Sequence, residues 1–196
     1  MPPQLADPAV ILQLSTDCAL SLYASRPPSP AYANRVAALL FGTAAHESAG
    51  FHHTRQLGFA DHTPSGGWSF WQIEWPSILD SLALLRRSPL LARNTAEFLG
   101  LIAYPRLMLP TPTPLPLLSL IRSWPRLAVS FARLHYMRFP EPIPADLAAQ
   151  AAYWKRTYNT FAGGGTVAQY LASWAAWAAP ALRTPTIPNP QGTPPQ

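Results

Sequence analysis

Apolar residues recur in short blocks at helical spacing, and proline marks the start of most blocks. Asp7-Pro8 sets a capping carboxylate before a proline at the first helical position, predicting a helix to about Tyr23. Arg26-Pro27-Pro28-Ser29-Pro30 breaks it, and Ser29-Pro30 repeats the start signal for a helix from Pro30 to Ser48. Val36, Leu39, Leu40 and Thr43 share a face of that second helix. Glu47 continues the same face, and Gly50 supplies a stop. From Phe51 to Trp75 the period fails, and His, Thr, Gly, Pro and aromatic residues dominate around a Pro64-Ser65-Gly66-Gly67 turn. Only Trp68 to Ile73 has strand character there, so this region reads as a loop or small β-hairpin.

Helices are predicted from Pro76 to about Leu85 and from Ser88-Pro89 to about Ala103. Pro105 to Pro116 holds five prolines in twelve residues and reads as an extended connection. Helices over Leu117–Ser123, Arg126–Arg138, Ala145–Tyr158 and Thr166–Ala179 complete the pattern, the last two separated by a Gly163-Gly164-Gly165 loop. Pro180 to Gln196 carries six prolines. The fold class is therefore mainly α: one domain over 1–180, and a Pro-rich, flexible tail over 181–196.

Composition agrees with helix, since Ala and Leu number 58 against 11 for Val and Ile. The 24 prolines exclude a long-helix bundle, and 48% hydrophobic content excludes a disordered chain. Fourteen basic against nine acidic residues give +5, which favours an anionic partner: nucleic acid, acidic lipid, or a polymer such as the bacterial cell wall. The cations are scattered, with Arg86-Arg87 and Lys155-Arg156 the only adjacent pairs, so no nucleic-acid partner is expected. Cys18 is the single cysteine, which excludes an intramolecular disulfide and suits a reducing compartment. No basic residue precedes Arg26, so no secretory signal is read. The apolar stretch from Thr166 to Leu182 is interrupted by Gln169, Ser173 and Pro180, too often for a membrane span.

Several chemical readings fall away on spacing. His46-Glu47 lacks the second histidine that a helical zinc motif needs four residues on, because Gly50 stands there. His52, His53, Asp61 and His62 could gather in a loop but lack the paired spacing of zinc sites, so no metal and no cofactor are expected. Ser48 lacks the glycine two residues earlier that a nucleophile elbow needs. The triple glycine lacks the Lys-Ser/Thr of a phosphate loop. Tyr170, Trp174 and Trp177 make a helical stripe that reads as core rather than membrane anchor.

Glu47 differs. It is one of nine acids, at the end of an apolar helix whose C-terminal partial charge and packed surroundings both raise a carboxyl pKa. A general acid working near neutral pH requires such a shift. The other reading is a structural Glu paired with an arginine such as Arg55, and chemistry alone leaves both open.

Three ordered segments bear on that choice: Ala45-His46-Glu47-Ser48, then Trp68-Ser69-Phe70-Trp71-Gln72-Ile73, then Thr157-Tyr158-Asn159-Thr160. They resemble the Glu-Ser pair, the hairpin glutamine motif and the Ala-Tyr-Asn-Ala-Gly segment of the lysozyme-like lytic transglycosylases. Gly42 to Ser48, Arg55-Gln56, Trp71 to Glu74 and Ala151 to Thr160 look like segments of bacteriophage cell-wall-degrading proteins, over roughly Ala37 to Trp174.

The resemblance implies a lysozyme-like helical domain with a small hairpin or loop at its cleft. It implies cleavage of the β-1,4 bond between N-acetylmuramic acid and N-acetylglucosamine in peptidoglycan glycan strands. Glu47 would be the catalytic acid, and Ser48, Gln72, Glu74, Tyr158 and Asn159 would bind substrate or hold the site. Ser48 would orient Glu47, Tyr158 would steady the acetamido group or Glu47, and Trp68, Phe70 and Trp71 would offer stacking surfaces. Glu74 is the reserve acid. The product is either a 1,6-anhydro sugar or a simple hydrolysis product. Such a protein, a monomer without a signal, would be made in the host cytoplasm and reach the wall through a holin-type partner or inside the virion. The rival classes are a non-enzymatic wall-binding or virion protein with this fold, and a membrane-disrupting basic protein.

Overall fold

Capping chemistry sets the first two helices where the spacing predicts them. In the computed structural model, which describes residues 5–100, 113–160 and 163–183, α1 runs Pro8–Ser21 and α2 runs Pro30–Glu47. Asp7 accepts the Ala9 N–H at 2.8 Å and Ser29 Oγ accepts the Tyr32 N–H at 3.3 Å. A proline follows each cap at a position whose N–H has no helical partner anyway. The same punctuation opens α3 (Trp75–Arg87), α4 (Pro89–Phe98), α5 (Pro114–Ser123) and α6 (Pro125–Tyr136). Asp146 caps α7 (Leu147–Trp154), and Thr166 with Gln169 forms a reciprocal capping box on α8 (Val167–Ser173). A π-helical turn, Lys155–Asn159, continues α7; a second, Trp174–Ala178, joins α8 to α9 (Ala179–Arg183).

α2 and α6 form the centre. From Leu39 to Ala45, and again from Leu127 to Leu134, consecutive residues are buried, which leaves no solvent face over those turns. α1 lies along α2 and also touches α6; α3 and α5 cover α6, while α8 and the second π turn cover α2. Gly42 makes the last contact possible, because a Cβ there would stand 2.4 Å from Tyr170 Oη and 2.6 Å from the Trp174 ring. Tyr170 is buried and Trp174 and Trp177 pack against the core, as the aromatic stripe implied. Among the described residues no helix is long and apolar enough to cross a membrane.

Some boundaries differ from expectation. Trp68 to Ile73 forms no strand; single antiparallel bridges join Arg55 to Trp68 and Trp68 to Ile73 across a tight turn. Positive φ at Ser69 (68°) and Gln72 (47°) curls the chain there and prevents a ladder. α4 stops at Phe98, before Gly100 at φ 68°, and not at Ala103, which lies outside the described residues. The predicted extended connection also lies largely outside them, but Pro114 and Pro116 already belong to the first turn of α5, where proline is tolerated. The helix expected over Thr166–Ala179 passes Pro180 and reaches Arg183. A π turn, Trp174–Ala178, precedes that proline, so the α-helical hydrogen-bond pattern is already interrupted where it enters. Residues 184–196 of the predicted tail lie outside the described residues.

Candidate functional site

A cleft of about 770 Å³ opens at the C-terminal end of α2. Its walls come from the loop around residues 53–57, the start of α3, the last turn of α6, and the π turn after α7. Glu47, Gln72, Glu74, Tyr158 and Asn159 all line it. The fold thus gathers residues from three distant stretches, and the volume lies in the range of small-ligand sites.

Glu47 is the last residue of α2 and is partly buried. Trp154 Nε1 donates to its Oε1 at 3.1 Å. No ion pair with Glu47 occurs among the described residues. Burial raises its pKa from 4.5 to about 7; the Trp154 N–H opposes the rise and the Glu74 carboxylate adds to it. The arginine-paired alternative does not hold. Arg55 is turned into its own loop, donating to the carbonyls of Gly67 (3.1 Å), Ala60 (3.0 Å) and Ser65 (2.6 Å), with its guanidinium 4.2 Å from the Trp68 ring centre.

Ser48 does not orient Glu47 and does not line the cleft. It is fully buried, donating to Ala44 O at 2.6 Å and accepting the Phe51 N–H at 2.7 Å, so it caps the helix end. Gln72 Nε2 donates to Ser69 O at 2.9 Å, which fixes the amide orientation; its Oε1 is buried without a partner among the described residues. Glu74 faces the cleft from the N-cap position of α3. Tyr158 holds neither Glu47 nor a free hydroxyl, because its O–H donates to Trp71 O at 2.7 Å. Burial and the Glu47 and Glu74 charges push that phenol well above its usual range. Asn159 Oδ1 accepts from Lys155 Nζ at 2.8 Å, and the same ammonium reaches Gly163 O at 2.8 Å, pinning the triple-glycine loop. Trp68, Phe70 and Trp71 are buried and offer no stacking face; Trp71 Nε1 is spent on Leu40 O at 2.8 Å.

Two histidines of the cleft add to the site: His46 enters the sequence reading only as the neighbour of Glu47, and His135 carries no sequence signal. His135, on α6, donates from Nε2 to Thr157 O at 2.8 Å and accepts at Nδ1 from Ser77 Oγ. Burial lowers its pKa to about 4, against the opposing Thr157 contact. His46 Nδ1 meets Ser173 Oγ at 3.0 Å, its ring stands edge-on to Trp154, and burial lowers its pKa too. His135 lies in an apolar helix among residues that predict only packing.

Backbone strain collects at the same place. Ala49 (φ 51°), Gln72 (φ 47°) and Thr160 (φ 60°) line the cleft in the left-handed region without being glycine. Such residues cost about 1–3 kcal/mol each and cluster at functional sites. His52, His53, Asp61 and His62 do not gather: among the described residues no three His, Cys, Asp or Glu side chains could share a metal ion. Asp61 pairs instead with Arg122 at 2.9 Å. Comparison of the chain with family models, curated proteins and solved structures returned no match.

Proposed function

We propose that the chain cleaves the β-1,4 bond between N-acetylmuramic acid and N-acetylglucosamine in peptidoglycan, with Glu47 as its general acid. One observation carries this reading: a carboxyl with no cationic partner among the described residues stands in the cleft, its pKa raised by burial to about 7. A glycosidase acid needs such a group, and a structural ion pair would lower its pKa instead.

Protonated Glu47 gives its proton to the glycosidic oxygen as the C1–O bond breaks and the electron pair leaves with that oxygen. The substrate's N-acetyl group supports the cationic C1. Ionised Glu47 then takes the proton of the sugar's 6-hydroxyl, whose oxygen closes onto C1 to give the 1,6-anhydro product. Water in place of that hydroxyl gives lysozyme-type hydrolysis. Gln72 lines the cleft with its amide held by Ser69 O, so it shapes the wall beside Glu47. Tyr158 and Asn159 act by holding the Trp71 turn and the Gly163 loop. Glu74 keeps the Glu47 proton in place by its charge. In this reading the fold is a lysozyme-like domain, and the chain reaches the wall of a bacterial host from its cytoplasm through a holin-type partner or from a virion.

The test is mass spectrometry of peptidoglycan digests made with the wild type and Glu47→Gln. Release of muropeptides by the wild type, with turnover lowered at least about 10²-fold in the variant, supports the assignment. Equal digestion by both sinks it, and binding without muropeptide release favours a wall-binding protein. An anhydro product is lighter than a hydrolysed one by one water.

A further inference from the structure

We propose that a second pocket, across α6 from the cleft, binds a small organic carboxylate through Arg133. Successive residues of an α-helix are about 100° apart, so Arg133 and His135 project to nearly opposite sides of α6. His135 enters the cleft, whereas Arg133 enters a pocket of about 560 Å³ beneath the α1–α2 connection. The Arg133 side chain is 6% exposed, yet it makes no hydrogen bond or ion pair among the described residues, and its Nε is buried without a partner. A desolvated guanidinium strongly favours an anion, and its planar fork matches a carboxylate through two parallel N–H bonds.

The remaining walls define the rest of the ligand. No acidic side chain lines the pocket, and exposed Arg26 adds a second cation. Leu22, Pro28, Tyr32 and Met137 supply apolar and aromatic surface. A bare inorganic anion would meet the guanidinium but leave most of that surface uncovered. The chemistry of the walls fits a carboxylate on an apolar body, of which benzoate is the simplest probe. This site stands on residues that the cleft does not use, so it holds or fails independently of Glu47.

Calorimetric titration of the full chain with benzoate, benzamide and inorganic phosphate tests it. Saturable one-to-one binding of benzoate, with benzamide and phosphate at least about tenfold weaker, is the expected result. Arg133→Met should abolish benzoate binding and raise the melting temperature, because an unpaired buried charge is removed. Arg133→Lys, which keeps the charge without the fork, should weaken binding at least about tenfold. Benzoate and benzamide binding alike, phosphate binding as tightly as benzoate, or no binding of benzoate to the wild type would each overturn the proposal. So would unaltered benzoate affinity in a folded Arg133 variant.

Discussion

Trp154 Nε1 donates to Glu47 Oε1 across 3.1 Å, joining the last residue of α7 to the last residue of α2. A neutral N–H donor stabilises the ionised carboxylate, while burial and Glu74 favour the protonated acid. The balance sets the Glu47 pKa near 7. Trp154→Phe removes the contact that opposes burial and Glu74, so the Glu47 pKa should rise further. The alkaline limb of the rate of peptidoglycan digestion should then move to higher pH. An unmoved limb in a folded variant would show that the indole does not tune this acid.

Glu47 and His135 make stability respond to pH in opposite senses. Below pH 4.5 Glu47 is protonated in both folded and unfolded chains; from there to about 7 the unfolded carboxyl ionises first, so stability falls as pH rises. Above 6.5 His135 is neutral in both; below it the unfolded imidazole protonates first, so stability falls as pH drops toward 4. Each shift corresponds to about 3 kcal/mol, and the two slopes oppose each other through the shared window. Urea unfolding should therefore show Glu47→Gln gaining stability with rising pH, from 4.5 to 6.5, relative to the wild type. His135→Gln should lose stability over the same range. Profiles parallel to the wild type would remove both groups from the pH response.

The start of nearly every helix was legible because caps and prolines act locally: the Asp7-Pro8 and Ser29-Pro30 caps, and Pro89 alone at the start of α4, need no tertiary partner to work. Glu47 was legible for a similar reason, since its place at the end of an apolar face already predicts the direction of its pKa. What stayed hidden depends on distant contacts. Ser48 reads as a polar neighbour of Glu47, but the helix end turns its hydroxyl onto Ala44 and Phe51. Trp68, Phe70 and Trp71 read as stacking surfaces with at least one of them in the core, yet all three are buried around the left-handed turns at Ser69 and Gln72. His135 enters the cleft only because α3 and the π turn after α7 bring Ser77 and Thr157 to it, and no spacing in the chain encodes that meeting.

Tyr158→Phe separates positioning from chemistry. The phenol touches the cleft but spends its proton on Trp71 O, so its loss leaves a carbonyl unpaired beside Gln72. The expected cost is about 1–3 kcal/mol of stability, read by thermal or urea unfolding. Digestion should weaken mainly through KM, with its pH limb unchanged, because Glu47 keeps its own donor. A displaced limb at unchanged stability would instead give the Tyr158 hydroxyl a direct part in proton transfer.

The turn that ends α2 can be tested by two substitutions of opposite sign. Ala49 sits at φ 51° with an exposed side chain, and Gly50 at φ 77° donates its N–H to Ala45 O at 2.8 Å. A left-handed conformation costs a residue with a Cβ about 1–2 kcal/mol, so Ala49→Gly should stabilise the chain by about 1 kcal/mol. Gly50→Ala incurs the same conformational cost, and its new Cβ would stand 2.4 Å from the Trp177 ring. Indole and backbone must then part, and a loss of about 2 kcal/mol or more is expected. Trp177 packs on the chain directly after Glu47, so the same displacement should disturb the cleft and lower digestion, whereas Ala49→Gly frees the turn without moving a neighbour. Thermal unfolding and digestion rates of both variants check this; a destabilised Ala49→Gly, or a Gly50→Ala as stable as the wild type, would mean that the turn is not the strained element that positions Glu47.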